Sequence, residues 1–574
     1  MGVSRWFSAL VAAVDISVSH GAPNCPFLGP VYPKPTALGA SHALQVAFAN
    51  LTATFRARDL DPATNPNTTS YSIEVFSASQ DTPMWSWAHT SPELATSNTS
   101  GVKTADSNTV YRLGSVTKIF TILTFLVEAG DTMWNEPVTK YVPELAALAP
   151  RSDQDPVMNV DWGDITLGGL ASQMTGIEMN QSYITQLGFP PISTADIPTC
   201  GEWPLCNRTQ FFDGLSKVPP SVAPWQTAAY SDVAFQVLAY ALENITGKRF
   251  QDMLRTNILD KLGLKHTYYS TPPGSVGALP PGNSTGWYYS LGEGSPAGNM
   301  YSSVGDLSSL GRGIFRYTLM PGAQTRRWLK PASLTSELVA GVGYPWGIRR
   351  IPIGTGNDAH RVVDAYGKAG RIGSYASLMV LLPDYDVGMV ALLAGNAIPG
   401  NANWNIADTI GTVLLPALEE AAREQAQATY AGTYASGQAD LTSSIVLSTQ
   451  PDRPGLGIDS WVSNGTDMKT TATVLSVGYA PVPNPSIRLY PAGLEVKDAD
   501  GTTRVAFKAV YEDLDAPSRA DSMFSTDCGT WVSQTAAVYA NMPLDQFVFT
   551  LDTNGDVVSL EPLALRTLLK KASS

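Results

Sequence analysis

The sequence has few charged residues, few cysteines and histidines, and no long apolar segment after its N-terminus. Charged residues make up 15% of the 574-residue chain, and acidic residues outnumber basic ones, which gives a net charge of −13. No cluster of Lys and Arg follows a helix or a loop, so we expect no nucleic-acid partner. No later apolar stretch is long enough to cross a bilayer, so we expect no stable membrane anchor. The five His residues are scattered, which argues against a Ser-His-Asp hydrolase.

The first 21 residues have the pattern of a secretory signal peptide. A basic start, Met1–Trp6, precedes a short apolar segment, Phe7–Val14, and small residues follow. Eight Asn-x-Ser/Thr sequons agree with export. These candidate glycosylation sites are Asn50, Asn67, Asn98, Asn180, Asn207, Asn244, Asn283 and Asn464. We therefore interpret residues 1–21 as a signal peptide and expect a secreted glycoprotein.

The four cysteines show no zinc-like spacing. In an exported protein the simple pairing joins Cys200 to Cys206 across a short loop and leaves Cys25 for Cys528. Other pairings remain open, and all four would be free thiols if the leader did not function.

A change of pattern near residue 429 divides the chain into two domains. Over 22–428, strand-like segments such as Ser70–Ser77 and the hairpin Ala376–Leu382 with Val387–Leu393 accompany apolar helices, which predicts an α+β domain. The stretch from Met179 to Pro224 shows neither period and is interpreted as irregular. Over 429–574, short alternating strands and turns predict an all-β domain.

The segment Tyr111–Lys118 opens an apolar helix and carries the first candidate catalytic residues. Lys118 is the only charge between Ser115 and Val127, and Gly130 closes the run, so we predict a buried helix with Ser115 at its N-cap. Ser115 and Lys118 are three residues apart and share one face of such a helix. Because a desolvated Lys can activate a neighbouring hydroxyl, the pair predicts a serine nucleophile. The alternative is a plain N-cap beside a Lys that reaches from the core to solvent.

Three further motifs bear on this hypothesis. A second Ser-x-x-Lys, Ser100–Lys103, lies in a polar stretch without a helix, and we predict no catalytic role for it. Tyr230-Ser231-Asp232 precedes an apolar helix, and alone it would be a core Tyr followed by Ser231 or Asp232 as the N-cap. Lys368-Ala369-Gly370 precedes the buried hairpin, and alone it would be a strand edge with a Gly bulge.

The order Ser-x-x-Lys, Tyr-x-Asp, Lys-x-Gly resembles that of the serine β-lactamase and penicillin-binding protein superfamily. The most similar branch contains class C β-lactamases, D-Ala-D-Ala carboxypeptidases and their esterase relatives. The flanking segments Arg112–Thr121, Pro137–Leu145 and Leu381–Asp384 match as well. The resemblance covers about residues 40–418, and the C-terminal part resembles a subgroup of secreted fungal β-lactamase-like proteins. It implies a β-lactamase/transpeptidase-like fold, with an antiparallel sheet, packed helices and an all-α lobe, and neither a metal nor a cofactor.

The resemblance also implies a role for each motif residue. Ser115 would be the acylated nucleophile, Lys118 and Tyr230 would share its proton, and Lys368 would favour anions in the site. The backbone N–H groups of Ser115 and Arg371 would form the oxyanion hole.

Two residues depart from the pattern of that superfamily. Asp232 stands where the lactamases usually carry Asn, and an ionised carboxylate cannot donate to a substrate amide. Ala369 replaces the usual Thr beside Gly370 and removes a hydroxyl that helps to hold a substrate carboxylate. We predict that Asp232, Ala369 and Gly370 bind substrate and that the two changes favour esters.

We therefore predict a hydrolase that acts on a small-molecule ester or amide through an acyl-enzyme, with esters preferred. The same residues would serve an acyltransferase or a thioesterase-like enzyme of secondary metabolism, in which only the acyl acceptor differs. A third hypothesis is a catalytically silent binding protein. The retention of Ser115, Lys118, Tyr230 and Lys368 argues against it.

Overall fold

The computed structural model describes residues 25–148, 155–177, 200, 205–282, 285–354, 361–438, 441–478, 481–519 and 522–572. The chain separates into two compact units. The first comprises Leu38–Ile351 and Val363–Leu418, and the second comprises Met1–Ala37, Pro352–Val362 and Glu419–Ser574. The predicted signal peptide lies outside the described residues, and the predicted domain limits stay predictions.

The first unit is built on a large sheet. Within the described residues its eight strands follow the order Trp85–His89, Thr69–Ser77, Val387–Gly395, Tyr375–Leu382, Arg361–Ile372, Gly347–Ile353, Ala340–Val342 and Ser333–Leu334. The predicted hairpin is present, with Val387 opposite Leu382 in an antiparallel pair. Every residue of Thr69–Ser77, Tyr375–Leu382 and Val387–Gly395 is buried. Both faces of these strands are therefore covered, which accounts for their apolar runs.

Twelve described helices lie within the first unit: His42–Arg58, Pro92–Ala95, Thr117–Ala129, Pro143–Leu148, Leu167–Ala171, Arg208–Leu215, Val233–Thr246, Phe250–Leu254, Asp260–Leu262, Ser295–Gly298, Val304–Phe315 and Gly322–Trp328. The helix Ala402–Tyr430 begins in the first unit and continues beyond Leu418 in the second. A π-helical turn, Arg255–Leu259, continues Phe250–Leu254 into Asp260–Leu262.

Two packing contacts hold the site in place. Thr117–Ala129 is apolar on nearly all sides and packs against Val233–Thr246, which is the arrangement of a core helix. Val304–Phe315 packs on the sheet at Gly311, where a Cβ would lie 2.1 Å from the ring of Phe76. The sheet and the helical layer therefore meet with no room for a larger side chain at this point.

The second unit is a closed sheet. Among the described residues its strands follow the order Ser444–Gln450, Gly432–Ser436, Leu569–Lys571, Val557–Pro562, Gln546–Leu551, Thr503–Asp513, Pro485–Lys497, Arg453–Ser463 and Thr466–Asp467. Ser444–Gln450 also pairs with Arg453–Ser463, so eight of these strands form a closed ring, and the short strand Thr466–Asp467 pairs with Arg453–Ser463 outside that ring. One helix, Met468–Val477, was not predicted from the sequence. It begins where the Asp467 carboxylate accepts hydrogen bonds from two backbone N–H groups and ends at Gly478.

Two short strand pairs are also present: Tyr111–Arg112 with Tyr301–Ser302, and Val538–Tyr539 with Met542–Pro543. A short helix, Thr530–Ser533, lies in the second unit.

The structure joins Cys25 to Cys528 and Cys200 to Cys206. Six of the eight candidate glycosylation sites are exposed, and the two others lie outside the described residues. The exposed ones are Asn50, Asn67, Asn98, Asn207, Asn244 and Asn464, and the others are Asn180 and Asn283. None of the helices in the described part of the chain has both the length and the apolarity that a bilayer crossing requires.

Candidate active site

Ser115 lies in a tight turn just before the buried helix. The 3₁₀ turn Gly114–Val116 leads from the strand Tyr111–Arg112 into the helix Thr117–Ala129. The prediction that Ser115 caps this helix is wrong, because its side chain bonds Tyr230 and Lys118 and makes no cap hydrogen bond. The predicted C-cap at Gly130 is confirmed.

Lys118 is a fully buried cation, with 0% of its surface exposed. Its ammonium donates to Ser115 Oγ at 3.0 Å, to the Ala297 carbonyl at 2.8 Å and to the Asp232 carboxylate. An ammonium has three N–H donors, and each of them has an acceptor here. Lys118 is therefore fixed as a donor toward Ser115, and its charge is balanced by Asp232.

Tyr230 is the second hydrogen-bond partner of Ser115. The two hydroxyl oxygens lie 2.6 Å apart, and the Tyr230 side chain is 38% exposed. The ammonium groups of Lys118 and Lys368 lie 5.1 Å and 5.3 Å from the centre of its ring. The Tyr230 ring therefore lies between the side-chain nitrogens of Lys118 and Lys368.

Lys368 lies on the strand Arg361–Ile372 and is 9% exposed. Burial and the neighbouring charge of Lys118 lower the pKa of Lys368 from 10.5 to about 7, against an opposing effect of Asp232. Its ammonium donates to the carbonyl of Ala369 at 2.8 Å. Both the charged and the neutral form of the Lys368 amine are therefore populated at neutral pH.

The same strand passes directly against the turn that carries Ser115. A Cβ at Gly370 would lie 2.0 Å from the Leu113 carbonyl oxygen and 2.7 Å from the Ser115 nitrogen. A Cβ at Gly114 would lie 2.7 Å from the Arg371 nitrogen. The two predicted oxyanion-hole amides, those of Ser115 and Arg371, thus belong to segments in close contact that only glycine permits.

Asp232 occupies the N-cap position of Val233–Thr246 but does not cap it through its side chain. Its carboxylate accepts from Lys118, and the Ser231 hydroxyl oxygen accepts from the Ala234 N–H at 3.1 Å in its place. Of the two candidate cap residues, Ser231 therefore supplies the side-chain cap and Asp232 does not.

Ser115 opens into a cleft of about 1120 Å³. Its lining includes Ser115, Asp232 and Arg371, together with residues that the sequence did not single out, such as Trp287 and Glu293. Trp287 and Glu293 carry no motif, and only the fold brings them to the cleft.

The charged side chains of the cleft contact other groups of the protein. Among the described residues of the lining, the charged side chains are Asp232, Glu293 and Arg371. Asp232 is paired with Lys118, and the Arg371 guanidinium donates to two backbone carbonyls, at 2.9 and 3.0 Å. Asp232 is therefore balanced by Lys118, whereas Arg371 has two of its N–H groups engaged by neutral carbonyls, which do not cancel its charge.

The second Ser-x-x-Lys pair is not assembled for catalysis. The Lys103 ammonium donates to Ser97 Oγ at 2.9 Å and to the Thr99 carbonyl at 2.8 Å, and not to Ser100. Ser100 does line the cleft, which the sequence did not predict.

The chain is similar to known proteins over most of its length. The β-lactamase family model matches residues 87–409, and a model described as "Beta-lactamase-like-like, C-terminal domain" matches residues 422–573. A β-lactamase-like protein of Arthroderma benhamiae is 30% identical over 98% of both chains. A probable hydrolase of Phoma sp. is 27% identical over 81% of this chain and 77% of its own. A solved class C β-lactamase overlaps with a TM-score of 0.45 at 15% identity, covering 65% of this chain and 96% of its own.

Proposed function

Since the chain belongs to the serine β-lactamase superfamily, we propose that it is a serine hydrolase that cleaves esters through an acyl-enzyme on Ser115. The observation that carries this proposal is the Ser115 hydroxyl held between Tyr230 and Lys118 at the cleft. Because Lys118 donates to the Ser115 oxygen, the hydroxyl proton is directed to the Tyr230 oxygen, which accepts it when Tyr230 is a phenolate.

Tyr230 is the proton acceptor in this mechanism. Lys118 has all three N–H groups engaged as donors, so it orients the Ser115 oxygen and stabilises negative charge without accepting a proton. Tyr230 enters this step as a phenolate. As Ser115 Oγ forms its bond to the substrate carbonyl carbon, the Oγ proton passes to the Tyr230 oxygen, which becomes a neutral phenol. The carbon–oxygen bond to the leaving group then breaks, and the departing alkoxide takes that proton.

The acyl-enzyme is then resolved by water. Tyr230, again a phenolate, takes a proton from the attacking water, the bond between the acyl carbon and Ser115 Oγ breaks, and the proton passes to Oγ. The backbone N–H groups of Ser115 and Arg371 stabilise the oxyanion in both halves of the reaction. The side chains named, the two backbone N–H groups, the substrate and one water account for every step.

The preference for esters is supported by Asp232 and Lys368. The Asp232 carboxylate is an acceptor held by Lys118, so a substrate amide carbonyl placed beside it would face another acceptor, at a cost of about 1–3 kcal/mol. The pKa of Lys368, near 7, means that its ammonium is only partly present at neutral pH to bind a substrate carboxylate. β-Lactams and acyl-D-Ala-D-Ala peptides carry both groups, whereas simple esters carry neither.

The test of the mechanism is the intact mass after incubation with a fluorophosphonate. We expect one adduct, mapped to Ser115, and no adduct and no ester turnover in Ser115→Ala. Lys118→Ala should lower the labelling rate by several orders of magnitude, because the donor to Oγ is lost. Ser216→Ala, an exposed serine outside the cleft, is the matched control. Ester turnover by Ser115→Ala equal to that of the wild type would refute the mechanism.

The same acyl-enzyme distinguishes a hydrolase, in which water accepts the acyl group, from an acyltransferase, in which an alcohol accepts it. Acyl-enzyme formed from a p-nitrophenyl ester should be released as free acid, and the rate should not change when an alcohol is added. Release as the alcohol's ester would instead identify an acyltransferase. A protein that is neither labelled nor active would be a silent binding protein.

We further propose that the protein is secreted. Its two disulfides suit an oxidising compartment. The signal peptide is tested by N-terminal sequencing of the secreted protein, which should begin near residue 22.

A further inference from the structure

Gln173 accepts hydrogen bonds from the backbone N–H groups of both residues adjacent to Tyr230. Its backbone carbonyl accepts from the Ala229 N–H at 2.8 Å, and its side-chain Oε1 accepts from the Ser231 N–H at 2.7 Å. One residue therefore fixes the chain on either side of the phenol. It lies 57 positions before Tyr230 in the sequence and was not predicted as a site residue.

Tyr230 depends on this support more than a core residue would. Its side chain is 38% exposed, and the hydroxyl must stay 2.6 Å from Ser115 Oγ to exchange a proton. A side chain that the core does not enclose takes its position from the backbone that carries it. A displacement of about 1 Å at a reacting group lowers rates by about 100-fold.

Gln173 adopts this arrangement at a local free-energy cost. Its φ of +66° lies in the left-handed region, which a residue with a Cβ rarely adopts. Its side chain is 6% exposed, and in the described structure its Nε2 has no hydrogen-bond partner. A left-handed backbone and a buried donor without a partner both destabilise the fold. Glycine would relieve both, but it would remove the oxygen that holds Ser231.

Neighbouring hydrogen bonds attach the same two segments, 173–176 and 221–231, to each other. The Met174 carbonyl accepts from the Trp225 N–H at 2.7 Å, and the Gly176 carbonyl accepts from the Ser221 N–H at 2.8 Å and from the Ser221 hydroxyl at 2.9 Å. These bonds lay the segment 221–231 along 173–176. Within this set, only the two bonds to Gln173 come from residues adjacent to Tyr230.

We propose that Gln173 is a positioning residue that keeps the Tyr230 hydroxyl within hydrogen-bond distance of the Ser115 hydroxyl. The inference rests on the proposed function, in which Tyr230 carries the proton of Ser115. It deepens that function by adding a residue that touches neither the substrate nor Ser115.

The experiment compares Gln173→Met, which keeps the length of the side chain but lacks the acceptor, with Gln173→Glu, which keeps an acceptor oxygen. For a p-nitrophenyl ester, we expect Gln173→Met to lower kcat by about 10- to 100-fold while KM stays within about threefold. Gln173→Glu should restore kcat to within about threefold of the wild type. Ser221→Ala, which removes a side-chain bond from the same attachment far from Tyr230, should leave kcat unchanged.

A double-mutant cycle separates positioning from general damage. If Gln173 acts through the Tyr230 hydroxyl, adding Gln173→Met to Tyr230→Phe should lower kcat no further. An equal loss in both backgrounds would show a purely structural role and overturn the proposal. If Gln173→Met does not fold, Gln173→Gly takes its place in the same cycle, because glycine tolerates the left-handed φ.

A crystal structure of the variant gives a readout that does not depend on activity. We expect the distance between the Tyr230 and Ser115 hydroxyl oxygens to exceed about 3.5 Å, beyond hydrogen-bond range. A distance that stays at 2.6 Å would overturn the inference even if the protein proves inactive. Failure of the wild type to be labelled at Ser115 would instead overturn the proposed function.

Discussion

Replacement of Lys368 by Met should stabilise the protein while impairing it as an enzyme. Lys368 is 9% exposed, and its pKa falls from 10.5 to about 7, mainly because burial disfavours the ammonium. Each pKa unit corresponds to about 1.4 kcal/mol, so the charged form costs the fold at most about 5 kcal/mol. Water and protein dipoles relax around a buried charge, so we expect about 2–4 kcal/mol to be recovered in Lys368→Met.

The gain should depend on pH in a defined direction. Between about pH 7 and pH 10.5 the unfolded chain binds a proton at Lys368 that the folded protein does not, so the stability of the wild type rises with pH across this window. Below pH 7 both states are protonated and the full penalty applies. Lys368→Met should therefore exceed the wild type in free energy of unfolding by the most at pH 6 and by little at pH 10.

Urea unfolding followed by tryptophan fluorescence at pH 6, 8 and 10 measures this difference. Lys330→Met replaces an exposed lysine and should show no such trend. A gain for Lys368→Met that is the same at pH 6 and pH 10, or a loss at pH 6, would refute the reasoning. Ester turnover by the same variant should fall, because the phenolate of Tyr230 loses one of its two neighbouring cations.

Three further substitutions test the scaffold of the site. Gly370→Ala should lower kcat by about 100-fold or more, because a Cβ there would lie 2.0 Å from the Leu113 carbonyl oxygen. Gly367→Ala on the same strand is the control and should keep the wild-type kcat, because its Cβ would lie at an ordinary 3.7 Å from its neighbours. Arg112→Met should raise KM more than it lowers kcat, since the buried guanidinium donates at 2.6 Å to the Tyr289 carbonyl in the cleft wall; an unchanged KM would contradict this role. Loss of the Cys25–Cys528 disulfide, as the double Ser variant, should lower the stability of the second unit by about 2–5 kcal/mol in thermal unfolding, and an unchanged transition would count against a stabilising role.

The family and the fold class were predictable because the signals that carry them are local. The Ser-x-x-Lys, Tyr-x-Asp and Lys-x-Gly motifs are each three or four residues long, and family membership confirms the resemblance drawn from their order. The hairpin predicted at Ala376–Leu393 needed only two apolar runs and a turn, and it is confirmed with slightly longer strands. Substrate and ester preference stay predictions, since they depend on contacts that no motif encodes.

The errors arose where a local signal had competing explanations. Ser115 has the sequence context of an N-cap, but a 3₁₀ turn precedes the helix and the hydroxyl bonds two side chains from inside the site. The stretch Met179–Pro224 was interpreted as irregular, yet it contains the helix Arg208–Leu215. Its signal was present as a capping box of Asn207 and Gln210, in which each side chain bonds the other's backbone.

Other site residues could not be predicted because the contacts join distant parts of the chain. The third acceptor of Lys118 is the carbonyl of Ala297, and a carbonyl is present in every residue. Gln173 bonds Ser231 from a left-handed backbone conformation, and no residue type near Gln173 predicts that conformation. Such contacts follow from the packing of helices and loops, which only the three-dimensional structure supplies.

Asp232 affects both the preference for esters over amides and the charge of Lys368. Its carboxylate neutralises Lys118 and raises the pKa of Lys368, so Asp232→Asn should provide an amide donor and also lower the pKa of Lys368 below about 7. An amide substrate without a carboxylate should then gain about 10- to 100-fold in kcat/KM relative to a simple ester, equally at pH 6 and pH 8. A penicillin needs the Lys368 ammonium as well, so its gain should be larger at pH 6 than at pH 8. Asp213→Asn, at the surface, should change neither ratio. If both amides gain equally at both pH values, Asp232 and Lys368 act independently; if neither gains, Asp232 does not determine the ester preference.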